Sequence, residues 1–104
     1  MSALSVSPVI NKMLRGLDFS IVDTEVFSED DETTYERNYS FQAGDNEVKV
    51  FVGTYGTTGA SAVSIKRFGN HHFIENFHVA YVKSDAQIAA VEKKVKAFIA
   101  KASK

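Results

Sequence analysis

Three glycines recur at GxxGxxG spacing in Gly53-Thr54-Tyr55-Gly56-Thr57-Thr58-Gly59, and backbone N–H groups in such a loop can cradle a phosphate. The common phosphate loops have other forms, GxxxxGK[ST] or GxGxxG, and each opens a helix. Here no lysine follows, and Ala62-Val63-Ser64-Ile65 reads as strand. The segment is read as a loop between two strands. The histidines are poorly spaced for metal chemistry. His71 and His72 are adjacent and point to opposite sides of an extended chain, while His78 lies about 20 Å further along from His72. With no cysteine in the chain and no carboxylate at helical spacing to a histidine, neither a metal nor another cofactor is expected. No serine lies in a nucleophile elbow, so no catalytic residue is assigned and the balance leans away from an enzyme. A small enzyme with a histidine/carboxylate site stands as the third reading.

Two sets of residues suit binding better. Glu29, Asp30, Asp31, Glu32 and Glu36 form a dense negative run that would speed encounter with a basic protein surface, and Tyr35, Arg37 and Tyr39 alternate beside it. The same run would also serve as a solubilising guard on a strand edge. The alternative is single-stranded nucleic acid, stacked on an aromatic β face and held by basic residues. Tyr35, Arg37, Tyr39 and Phe41 would form that face, with Lys66, Arg67, His71 and His72 near it. The charge map argues against this second reading. From Asp18 to Glu47 there are ten acids against one base, Arg37, whereas Val48 to Lys104 holds nine bases against three acids. Poles separated in this way suit oriented association with a protein better than general attraction to phosphate.

The elements that position these residues are legible from periodicity. Ser7-Pro8 is a helix start, and Val9, Ile10, Met13, Leu14 and Leu17 follow at helical spacing, with Gly16 as the expected left-handed stop. From Ser20 to Lys83 the period becomes two. Five strands are expected near 20–28, 33–43, 47–55, 61–68 and 71–83, separated by the acidic loop 29–32, Gly44-Asp45-Asn46, the glycine loop, and a Gly69-Asn70 turn with glycine first. Connections this short favour antiparallel neighbours. Ser84-Asp85-Ala86-Gln87 matches a capping box, and Ile88, Val91, Val95, Phe98, Ile99 and Ala102 line one face of the helix it opens. Glu92 and Lys96 are spaced to pair.

The fold class is thus α+β over residues 1–104 as a single domain: a short N-terminal helix, an antiparallel meander of about five strands, and a C-terminal amphipathic helix on one sheet face. Residues 1–17 make a poor signal peptide and no apolar run reaches membrane-spanning length, so a cytoplasmic chain without membrane contact is expected. Val48, Val50 and Val52 oppose Phe51 and Tyr55 on the third strand. On the fifth, Phe73, Phe77, Val79 and Tyr81 oppose Ile74, Ala80 and Val82. Strands apolar on both sides are normally covered on both sides, and the short N-terminal helix would cover little of the second face. Self-association is therefore expected, as a homodimer through the sheet or its edge. The leading functional reading is a small non-enzymatic binding, adaptor or inhibitor-type accessory protein acting through a protein–protein surface.

Overall fold

The computed structural model describes residues 7–29, 32–55 and 61–104. In chain order the elements are α1 (Ser7–Gly16), β1 (Ser20–Glu29), β2 (Glu32–Ala43), β3 (Asn46–Tyr55), β4 (Ser61–Gly69), β5 (His72–Val82) and α2 (Asp85–Ala102). The strands form one antiparallel sheet in the order β1-β2-β3-β4-β5, the meander that the short connections imply.

The core lies between the sheet and both helices. Val48, Val50 and Val52 of β3, Val63 and Ile65 of β4, and Tyr39 of β2 project to one side. There they meet Val91, Val95, Phe98 and Ala102 of α2 and Ile10 and Leu14 of α1. The helices share that face and lie side by side, with Val9 and Met13 of α1 bordering a groove completed by Glu92 and Lys96 of α2. Among the described residues no helix lies on the opposite face of the sheet.

Capping chemistry sets both helix ends. At the start of α2 the Gln87 N–H donates to Ser84 Oγ, and Gln87 Oε1 accepts from the Ser84 and Lys83 N–H groups, so the expected capping box is formed. The end of α1 differs from expectation. Gly16 is its last helical residue, and the left-handed position is Asp18, at φ 69°. The Phe19 N–H donates to the Leu14 carbonyl and the Asp18 N–H to the Arg15 carbonyl, which is a Schellman closure with buried Phe19 and Leu14 in the same core.

Two hairpins also depart from expectation. Strands β1 and β2 run through Glu29 and Glu32, which pair with each other, so the expected four-residue acidic loop is shorter; Asp30 and Asp31 lie outside the described residues. Between β4 and β5, Gly69 pairs with His72, and the turn is Asn70-His71, with both φ values positive (54° and 69°). That is the two-residue pattern matching the twist of a hairpin, centred one residue later than a glycine-first turn. A Cβ at Gly69 would come within 2.5 Å of Ile74 Cδ1, the tip of an exposed side chain that can move aside.

Asn46 ties three parts of this end together. Its Oδ1 accepts the Asn70 N–H at 3.1 Å and its Nδ2 donates to the Ala102 carbonyl at 2.9 Å, joining the start of β3, the β4–β5 turn and the last turn of α2. Asn46→Ala leaves a helix-end carbonyl and a turn N–H without their partner, and should lower the unfolding free energy by about 1–3 kcal/mol in urea titrations.

Glu75 links sheet to helix in a similar way. It accepts from Arg67 Nε at 2.7 Å and lies 3.4 Å from Lys101 Nζ of α2. The Arg67 hydrogen bond holds the Glu75 carboxyl below its ordinary value of 4.5, against the opposing effect of desolvation. The folded chain therefore binds this proton more weakly than the unfolded chain does. The stabilisation is complete above pH 4.5 and fades as pH falls through the lowered folded value. Glu75→Gln should be less stable than the parent at neutral pH, and the two stabilities should converge in acid.

Candidate binding surface

The register sets the side chains of the uncovered face in cross-strand rows. One runs Asn38, Phe51, Ser64, His78; the next Ser40, Lys49, Lys66, Asn76; the third Gln42, Glu47, Phe68, Phe73. Lys49 and Lys66 are directly opposite, an arrangement that costs energy for like charges. Each leans away from the other over a phenyl ring in a neighbouring row: Lys66 Nζ lies 5.2 Å from the Phe51 centroid and Lys49 Nζ 5.4 Å from that of Phe68. Both distances fit a cation–π contact. Phe68 and Phe73 meet edge to face at 5.9 Å. The face is thus a diagonal of two cations between aromatic rings, bordered by hydrogen-bonding groups.

Acids flank that diagonal toward β2. Glu47 accepts from Ser40 Oγ at 2.5 Å and lies 4.0 Å from Lys49 Nζ. Glu36 lines a groove of about 340 Å³ with Phe51, Gly53, Ala62, Ser64 and Lys66. The groove exists because Gly53 and Ala62 are paired neighbours, so two small residues meet at its floor. A second dip of about 250 Å³ brings His71 beside Lys49 and Phe68.

Ser64 Oγ and His78 Nδ1 are 2.6 Å apart on the same face. A serine bonded to a histidine suggests an activated nucleophile, but general-base chemistry also needs the ring oriented from its far side. Among the described residues no carboxylate bonds that side of His78, and no three His, Asp or Glu side chains converge to hold a metal ion.

The expected site residues are divided by the fold. Tyr39 is 2% exposed beneath the helices, its hydroxyl donating to Asn11 Oδ1 of α1 at 2.8 Å, and burial pushes its pKa above the ordinary value. Phe41 packs against the same core, in contact with Phe19 at 5.6 Å. Arg37 pairs with Val52 on that side, and Arg67 is held there by Glu75. Among the described side chains of the nucleic-acid set, Lys66 reaches the uncovered face, and His71 and His72 lie at its corner. Arg37, Tyr39, Phe41 and Arg67 therefore do not share a platform with Lys66, because the Tyr39 face is the one the helices cover. Of the acidic set, Glu36 reaches the uncovered face. Glu29, Glu32 and Tyr35 have strand backbone with side chains outside the described residues, and residues 56–60, which hold Gly56 and Gly59, also lie outside them.

No motif joins Lys49, Phe51, Ser64, Phe68 and His78; their signal is positional, since the first four alternate with the valine and isoleucine positions of β3 and β4 and His78 sits between Phe77 and Val79 of β5. Among the described residues no helix is long and apolar enough to cross a membrane. Searches against protein-family models, curated proteins and solved structures each return no match.

Tyr39→Phe separates a core role from a contact role. It should cost about 0.5–1.5 kcal/mol of stability through the lost bond to Asn11, and leave binding by the opposite face unchanged.

Proposed function

We propose that this chain is a small non-enzymatic binding protein, working as a homodimer, that docks a basic surface of another protein on the uncovered sheet face. The observation that carries this reading is the placement of both helices on one side. It leaves Phe51, Phe68 and Phe73 among hydrogen-bonding side chains on a face that neither described helix covers. Charge selects the partner. The β1–β2 half is built from the stretch with ten acids against one base, and Glu36 and Glu47 bring that sign onto the face. A basic protein would be steered toward this half and would settle on the phenyl rings beside it.

Capture from a lysate of the native host tests this. The parent chain should retain a basic protein, and Glu36→Lys or Phe51→Ser should each lose it, as should raised salt. Lys93→Glu, on the exposed side of α2, should retain it. Capture indifferent to Glu36→Lys and Phe51→Ser overturns the reading.

A second reading has its own observation: Lys49 and Lys66 stand opposite each other beside the half-buried rings of Phe68 and Phe51, a pattern that could hold phosphate and stack bases. Binding of a fluorescent single-stranded oligonucleotide that weakens steeply with salt and is lost in Lys66→Ala would favour it over the protein partner.

A further inference from the structure

We infer that the outer edge of β5 is the interface between two copies of this chain, joined antiparallel about Phe77 into a continuous ten-stranded sheet. This rests on the homodimer reading above and specifies its surface and register. An edge strand offers a row of unpaired backbone donors and acceptors, and natural sheets usually guard it with charge, proline or short length. β5 has eleven residues, no proline and a single acid, Glu75, which Arg67 and Lys101 already hold within the chain. The other edge, β1, carries Asp23, Glu25 and Glu29 in ten residues, so two copies paired there would set acid near acid.

Both edges expose apolar groups, Ile21 and Val22 on β1 among them, so charge and strand geometry are what favour the β5 edge. Phe73, Ile74 and Tyr81 are 57%, 47% and 60% exposed, large values for apolar or aromatic groups on one strand. Two irregularities interrupt its pairing with β4, one at Ile74 and the other between Val79 and Val82. They bracket a regular stretch, Glu75–Val79, whose centre is Phe77. A two-fold axis at Phe77 therefore sets regular strand against regular strand and bulge against bulge.

The same axis matches side chains. Residues whose numbers are equally spaced about 77 face each other, so Phe73 of one copy meets Tyr81 of the second, Ile74 meets Ala80, and Asn76 meets His78. No acid opposes an acid. Moving the axis to Glu75 sets that carboxylate against itself, and moving it to His78 sets Tyr81 against Glu75. Pairing about Phe77 is the arrangement that joins the exposed aromatic groups.

Sedimentation velocity across a wide concentration range tests the interface, with thermal melts confirming that each variant folds. The parent should show a monomer–dimer equilibrium. Phe73→Lys should weaken it by roughly tenfold or more, since two symmetry-related aromatic pairs are lost. Phe73→Lys combined with Tyr81→Glu should restore the dimer, because the two introduced charges face each other only in this register, and the restored dimer should weaken with salt. A parent that stays monomeric, a dimer indifferent to Phe73→Lys, or a double variant no better than the single overturns the interface. A monomer that still captures a basic protein through Glu36 overturns this interface alone, leaving the sheet-face reading intact.

Discussion

Val48, Val50 and Val52 all project to the same side of the central strand, and they are the constraint from which the architecture follows. Fully burying one such side chain is worth roughly 1.5–3 kcal/mol, so a row of three, extended by Val63 and Ile65 on β4, must be covered. One helix is not enough. α2 contacts β3, β4 and β5, which leaves the β2 side of the valine face to α1. A ten-residue helix is marginal alone, and three devices hold this one: burial of Ile10 and Leu14, the Schellman closure through Asp18 and Phe19, and the Asn11–Tyr39 hydrogen bond. With both described helices on this side, neither covers the reverse of the sheet.

The polar interactions reinforce that division. On the helix side Arg67, Glu75 and Lys101 join β4, β5 and α2 through partly shielded charges. On the other side, among the described residues, Lys49 and Lys66 have no carboxylate as close, and phenyl rings take up part of that role. An ion pair within the chain is satisfied by folding. A lysine resting on a phenyl ring keeps donors free, which is what a surface that recognises another molecule requires.

Much of the fold was legible because local signals and the global arrangement agree. The Ser84–Gln87 capping box, the 3.6-residue period of α2 and the two-residue period of the strands each have one reading, and the structure adopts it. Face assignments on β5 were less legible, since alternation assumes an unbroken register. The irregularities at Ile74 and after Val79 send Phe73 and Tyr81 outward while Val82 is buried, although strict alternation puts Phe73 and Tyr81 with Phe77. The candidate site was obscured for a related reason. Alternation says that Tyr39 and Phe41 share a face, but not which face the helices choose, and they chose that one.

In the meander each strand's neighbours in the sheet are also its neighbours in the chain. No long segment has to be closed before a pair of strands can form, so the sheet can assemble by successive zippering of hairpins at little loop-closure entropy. α2 is the exception, because it reaches back over β3 to β5 and its end meets Asn46 across 56 residues. Docking of that helix is the longest-range event in the assembly, against 28 residues between Asn11 and Tyr39 where α1 meets β2, and until it occurs much of the valine face stays open to water.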